Sequence, residues 1–375
     1  DADYSKGHEL WQKEQYAEAL PWLRKAAALG STDAMVYLGI ACDKGRGVPA
    51  DKAAAFGWYK KAAELGDAFA QLLCGVMCDD GEGVPQDKAA AFGWYQKAAE
   101  QGNADAQYNC GMMCDNGEGV PQDKAAAFGW YKKAAEQGHA AAQFNCGLML
   151  ATGEGVPQDK VAAFGWFQKS AAQGIERAQC CCGAMLDIGD GVAMDKAAAF
   201  SWYQKAAEQG NAAAQFNCGN MCYKGEGTAQ DKTAAFGWYK KAAEQGNPDA
   251  QFRCGFMLRT GEGIGEDKAA AFAWYRKAAE QGHASSQLRC GVMCETGEGV
   301  PQDKAAAFEW FKKAAEQGIA SAQFRCGFML RTGEGVAQDQ TAAFGWYKKA
   351  AEQGDVAAQF RCGWACDNEI GRAHV

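Results

Sequence analysis

Asn103–Gly138 reads NADAQYNCGMMCDNGEGVPQDKAAAFGWYKKAAEQG, and nearly the whole chain is a variation on it. Gly102 closes the preceding helix in a left-handed turn and Asn103 fits the N-cap of a first helix, helix A, over Asp105–Asn116. Gly117-Glu118-Gly119-Val120-Pro121 breaks the chain. Asp123 then fits the N-cap of helix B, which runs to about Gln137 and stops at Gly138. Trp22, Trp58, Trp94, Trp130, Trp166, Trp202, Trp238, Trp274, Trp310 and Trp346 stand 36 residues apart and account for ten of the twelve tryptophans. Asp holds the helix-B cap in all nine copies that carry the loop, from Asp51 to Asp339, so capping accounts for these carboxylates without catalysis.

This periodicity overrides what length alone suggests. A chain of 375 residues ordinarily forms two or three domains, but a repeat of this period forms a stack in which each unit touches its neighbours. Hydrophobic residues make up 48% and charged residues 22%, which excludes a disordered chain. The net charge of -8 argues against a nucleic-acid partner, which calls for a basic footprint. No apolar run reaches the roughly 18 residues of a membrane span. The chain begins Asp1-Ala2-Asp3, so a leading segment is expected to have been removed or left out. The carboxyl end, Gly371-Arg372-Ala373-His374-Val375, matches no retention or peroxisomal signal.

The string AxQYNxGxMxxxGEGVPQDxxxAxxWYxKAAEQG resembles the Sel1-like repeat family, relatives of the tetratricopeptide repeat with a longer loop, over residues 31–368. The resemblance implies an all-α fold, a right-handed α/α superhelical solenoid, and a role in protein–protein interaction. Residues 1–30 depart from the pattern. Tyr4-Ser5-Lys6-Gly7-His8-Glu9-Leu10-Trp11 leads to Tyr16-Ala17-Glu18-Ala19-Leu20 without the long loop, which resembles a tetratricopeptide helix pair and suits an N-terminal cap. Residues 369–375 are left as a tail. At about 10 Å per helix step, one continuous solenoid on the order of 100 Å long is expected.

Comparing copies within the chain separates what the stack requires from what it leaves free. In the copy at residues 69–80, columns 70, 71, 74, 75 and 77 are nearly fixed as Ala, Gln, Cys, Gly and Met, and column 78 is Cys or Leu. At 100° per residue these six positions span about 160°, which makes them the packing face of helix A. Phe56, Trp58, Tyr59, Ala62 and Ala63 are expected to do the same on helix B. Gln71 and its copies read as buried amides bonded to neighbouring backbone. Column 57 is usually Gly but accepts Ser201, Ala273 and Glu309, so it is expected to be exposed.

Seventeen cysteines raise disulfides and metal as alternatives. Cys110 and Cys114, one helical turn apart, have Cβ atoms about 5–6 Å apart, too far for a bridge. In a cysteine-rich secreted branch of the resembled family one bridging thiol lies near the end of helix B, where this chain has Ala134-Ala135. The four histidines (His8, His139, His283, His374) complete no ligand set, so no metal and no cofactor are expected. The cysteines read as small packing hydrophobes, and thiols in this number favour a reducing compartment, cytosol or an organelle interior, over secretion.

Columns 69, 73, 76 and 80 lie opposite the packing face and vary most; in solenoids like the resembled ones this side of helix A lines the concave groove. With column 79 added, the first three full A helices carry Asp33, Asp43, Asp79, Asp80, Asp105 and Asp115 against Lys44. The last four carry arginines against Asp249, Glu295 and Asp367. Arg253, Phe256, Arg259, Arg289, Arg325, Phe328, Arg331, Arg361 and Trp364 are therefore the candidate groove residues, suited to an acidic partner segment with apolar or aromatic anchors. No Ser-x-x-Lys occurs, although some relatives in the resembled family are reported to act on β-lactams, and no Gly-Lys-Ser/Thr phosphate loop follows the Gly-Glu-Gly turns. His139 and His283 share a turn column with Asn and Asp and read as caps. A non-catalytic adaptor is expected. The alternatives are an architectural subunit of a larger complex, held by its outer face and ends, and a thiol-based metal or redox buffer.

Overall fold

The computed structural model describes residues 2–362. Among them are twenty helices, from α1 (Ala2–Gln12) and α2 (Tyr16–Ala28) to α20 (Gln340–Glu352), then a helical segment over 356–362, and no strand. The all-α expectation holds. The chain divides into two compact units, Asp1–Met185 with Gly189–Ala193 and Leu186–Ile188 with Met194–Val375. Each is a row of helix pairs. The expected 369–375 tail lies outside the described residues.

The pair α7 (Ala104–Asn116) and α8 (Lys124–Glu136) shows how the repeat folds. Asn103 Oδ1 accepts the Ala106 N–H at 2.9 Å, satisfying one of the orphan donors at the helix start. Gly117 ends α7 in the left-handed region, and its N–H and that of Glu118 both donate to the Met113 carbonyl, at 2.9 and 3.0 Å. The loop closes when the Asp123 N–H donates to the Cys114 carbonyl at 2.8 Å, and Asp123 Oδ1 then caps α8 through the Ala126 N–H at 2.9 Å. All nine loop aspartates make this cap.

The packing face of helix A is as the columns indicate: Ala106, Gln107, Cys110, Gly111, Met113 and Cys114 are buried. Helix B differs from expectation. Its buried face is Ala127, Tyr131, Ala134 and Ala135, while Phe128 and Trp130 lie half-buried at the margin of the same cluster. The tryptophan column can sit there because one face of each indole is covered by a lysine one turn on. Lys133 Nζ lies 4.2 Å from the Trp130 ring centre, and the pairing recurs from Trp22–Lys25 to Trp346–Lys349.

Gly111 lies directly under the Tyr131 ring: a Cβ there would stand 2.6 Å from two ring carbons. Only a residue without a side chain lets the ring of helix B rest on the backbone of helix A, which explains why column 75 does not vary. Gly119 is constrained twice. Its φ is +70°, and a Cβ would run into the Lys88 carbonyl of the preceding repeat. That approach brings Glu118 to 3.1 Å from Lys88 Nζ, which also pairs with Asp79. The same lysine-to-loop-carboxylate pair joins consecutive repeats from Lys52–Glu82 to Lys304–Glu334.

The buried glutamine is bonded as expected. Gln107 Nε2 donates to the Ala99 carbonyl of the previous helix B at 3.0 Å, and its Oε1 accepts from Gln137 Nε2 at 2.7 Å. One amide therefore ties three helices together. By contrast Gly129, in column 57, is exposed, and a Cβ there meets nothing within 4 Å.

The two kinds of helical glycine should respond oppositely to one methyl group. Gly111→Ala drives a Cβ into the Tyr131 ring and should destabilise by about 1–3 kcal/mol. Gly129→Ala should stabilise by about 0.5–1 kcal/mol through helix propensity alone. Urea unfolding followed by far-UV circular dichroism compares them directly, and equal midpoints would contradict the packing described.

Candidate partner-binding surface

In the second unit the variable stripe lies on α13 (Ala212–Lys224), α15 (Pro248–Thr260), α17 (Ala284–Thr296) and α19 (Ala320–Thr332), and column 73 continues into the 356–362 segment. Arg253, Phe256, Arg259, Arg289, Phe328, Arg331 and Arg361 are all partly exposed, and Arg325 is exposed. Trp364 lies outside the described residues. Phe256 and Phe328 each lean against core clusters, so their rings are held in place by the stack while one side stays accessible.

The arginines are not equivalent. Arg325 Nη1 already holds both oxygens of Glu295, at 3.0 and 3.2 Å. Arg259 reaches Glu298 only at 3.8 Å, and Arg331 lies over the Phe328 ring at 5.5 Å. Arg253, Arg289 and Arg331 have no carboxylate within 4 Å among the described residues. In the first unit the balance is different. Asp43, Asp79 and Asp115, which look like an acidic wall in the sequence, are each paired to the first lysine of the following helix, Lys52, Lys88 and Lys124.

Beneath the stripe runs a column that sequence reasoning assigned only to packing. Tyr239 donates from its hydroxyl to Asn220 Oδ1 at 2.8 Å, so the ring that rests on the column-75 glycine turns its polar end toward the variable face. Burial pushes the Tyr131 and Tyr239 phenols well above their ordinary pKa and raises that of Tyr275. At Tyr131 the nearby Asp115 pushes further in the same direction, whereas Arg253 opposes burial at Tyr239 and Arg259 and Arg289 oppose it at Tyr275. The sign change along the chain is thus registered by one tyrosine column. The signal available in the sequence was the spacing of these tyrosines, 20 residues after each fixed glycine of helix A (Gly111 and Tyr131, for example).

The cysteines pack. Cys110 is fully buried, and burial pushes its thiol up to about 12, far from the thiolate needed for metal or redox chemistry. Cys74, Cys110, Cys146, Cys254, Cys290 and Cys326 are buried free thiols, and no group of three or more His, Cys, Asp or Glu converges among the described residues. His139 and His283 are caps: the Nδ1 of each accepts a backbone N–H, from Ala142 at 3.1 Å and from Ser286 at 3.2 Å.

A model of the Sel1 repeat matches residues 4–31, 32–67, 68–103, 104–139, 140–175, 177–211, 212–247, 248–283, 284–319 and 320–355. The chain is a Sel1-repeat protein. The match begins inside α1, so it takes in the first helix pair despite its short connection. This Sel1-repeat chain is similar to the crystal structure of c5321, a protective antigen present in uropathogenic Escherichia coli strains displaying an SLR fold. The TM-score is 0.89 at 39% identity, covering 96% of this chain and 78% of that one. It is also similar to a Sel1 repeat protein from Oxalobacter formigenes, with TM-score 0.64 at 33% identity, covering 83% of this chain and 89% of that one. No protein among the curated ones matches. Sel1-repeat proteins generally mediate protein–protein interactions and are generally non-catalytic.

The cap at His139 has a pH consequence. Burial holds its pKa below the ordinary 6.5, opposed by Asp105 at 3.4 Å, and the cap needs a neutral Nδ1. A pKa lowered by folding means that protonation favours the unfolded chain. The stability it contributes is present above pH about 6.5 and is lost as pH falls through the lowered folded value. His139→Asn, which keeps the cap, should flatten the loss of urea-unfolding midpoint between neutral pH and pH about 5; an unchanged slope would rule this residue out as its source.

Proposed function

We propose that this protein is a non-catalytic adaptor whose second-unit stripe binds a partner segment that is acidic and carries apolar or aromatic anchors. One observation carries the reading: Arg253, Arg289 and Arg331 stand on one stripe without a carboxylate partner among the described residues, interleaved with half-buried Phe256 and Phe328. Guanidinium groups held in this way gain more from a partner carboxylate than mobile surface lysines do, because less conformational freedom remains to be lost. The phenylalanine rings, pinned on one side by the stack, offer flat apolar area at little entropic cost. Arg325, already bonded to Glu295, and Arg259, shared with Glu298, contribute less than their position in the sequence suggests. The same reading places the protein in a reducing compartment, supported by its buried free thiols.

The test is fluorescence anisotropy of labelled peptides in which glutamate alternates with phenylalanine or leucine, titrated with the full chain. Arg253→Glu, Arg289→Glu and Arg331→Glu combined should weaken binding at least tenfold, and rising salt should weaken the wild type further. Undiminished binding by the triple variant would overturn the reading.

A further inference from the structure

We propose that a cavity at the start of the first unit, walled by Tyr4, Tyr37 and Phe69 and flanked by Asp33 and Asp67, receives a lysine side chain from a segment of a partner protein. The inference is independent of the arginine stripe, which lies in the second unit. The cavity, of about 230 Å³, opens between α1, α3 (Thr32–Lys44) and the start of α5 (Ala68–Asp80). Buried Val36 and half-buried Ile40 line its apolar side, and Asp33 and Phe69 stand exposed at its rim.

Comparison of the copies shows what this position lacks. Asp occurs in column 69 as Asp33, Asp105 and Asp249. Beside the last two, the residue capping the next helix A is a histidine. The Nδ1 of His139 accepts a helix N–H, so its Nε2 bears the proton and faces Asp105 Oδ1 at 3.4 Å. His283 Nε2 faces Asp249 Oδ1 at 3.3 Å. An aromatic ring packs on each imidazole, Tyr108 at 4.6 Å and Phe252 at 5.2 Å between ring centres. Carboxylate, nitrogen donor and ring are all supplied by the chain at both places. At the equivalent place beside Asp33 the cap is Asp67, whose Oδ1 accepts the Ala70 N–H at 2.7 Å but which has no proton to offer Asp33. Neither carboxylate has an ion-pair partner within 4 Å among the described residues. A second negative charge stands where the other copies hold a nitrogen donor.

The aromatic walls are held in place before any ligand arrives. His8 packs on Tyr4 and Tyr37 with ring centres 5.6 and 5.4 Å apart, and Trp11 meets Tyr37 edge-on at 5.1 Å. Burial, then the Asp33 charge and the Tyr37 phenol, raise the Tyr4 pKa, which puts the Asp33 carboxylate in the neighbourhood of that hydroxyl. An ammonium group gains from the ring faces and from both carboxylates, while its four-carbon stem covers Val36, Ile40 and Phe69. Lysine suits the place better than arginine. A compact point charge can sit between two carboxylates carried by different helices, whereas a guanidinium fork matches one carboxylate in its own plane.

The probe is a fluorophore-labelled peptide of glycine and serine with blocked ends and one central lysine, titrated with the full chain and followed by anisotropy. Asp67→Asn keeps the cap, as Asn103, Asn211 and Asn247 do at this position, and Asp33→Asn lies in a column that also takes Ala141 and Ala213. Each should weaken binding about tenfold, the effect expected of one hydrogen bond to a charged group. Phe69→Ala should weaken it about threefold. Asp67→His rebuilds the pairing of Asp105 with His139 and should close the site to the peptide. Acetylating the peptide lysine should abolish binding, and n-butylammonium should displace the peptide at concentrations where sodium does not. Unchanged affinity in the two asparagine variants would overturn the assignment, as would an arginine peptide that binds as tightly or equal displacement by sodium. Arg253→Glu, Arg289→Glu and Arg331→Glu combined should leave lysine-peptide binding intact. A loss there would place the peptide elsewhere and overturn this site, whereas failure of the acidic-peptide test bears on the stripe alone.

Discussion

In eight of the described helix pairs, from Tyr59 on Gly39 to Tyr347 on Gly327, helix B lays an aromatic ring on bare backbone of its partner helix A, as Tyr131 does on Gly111. With no Cβ between them, the two helices approach more closely than side-chain packing alone would allow, and the other contacts depend on that spacing. It brings the Tyr131 ring into the buried cluster with Ala134, Cys146 and Met149, and leaves Cys rather than a larger residue fitting column 74. It also sets how far the phenol reaches toward the variable face. The same ring is thus core at one end and part of the candidate site at the other.

The contacts between repeats are polar at their edges and apolar at the centre. Gln107 bonds the carbonyl of one helix and the amide of another, and Glu118 reaches back to Lys88 across the glycine contact at Gly119. The glutamine is buried and bonded at both its nitrogen and its oxygen, so losing either bond leaves a desolvated polar atom; the lysine–glutamate pairs are largely exposed and matter more for register than for stability. Specificity of stacking therefore rests on the buried amides and the glycine contacts, with the charged pairs as guides.

Most of the fold was legible in the sequence, because a repeat carries its own comparison set. The fixed columns named the packing face of helix A, the aspartates named the caps, and the tolerance of column 57 for Glu309 named an exposed position. What escaped was anything decided by distance between side chains far apart in sequence. Phe128 and Trp130 have the hydrophobicity of core residues, and only the lysine across Trp130 shows why they sit at the margin. The candidate site was legible as composition and not as chemistry. Charge counted along columns set Arg325 beside Arg289, although one is bonded to Glu295 and the other has no carboxylate within 4 Å among the described residues; Asp43, Asp79 and Asp115 looked free although lysines pair with them. The tyrosine hydroxyls were invisible because a buried aromatic column gives no sign in sequence of where its polar end points.

The loop contact between Lys88 and Glu118 spans 30 residues and recurs at that offset from Lys52–Glu82 to Lys304–Glu334. Interactions with such a fixed offset do not depend on how many units precede or follow. A whole unit can be duplicated or lost by recombination between near-identical coding segments without disturbing any surviving partner. The copy number is then free to drift, and with it the length of whatever segment the protein can engage. The alternation of Arg259, Glu295 and Arg331 does not share that freedom, since gaining or losing a single unit would shift its phase.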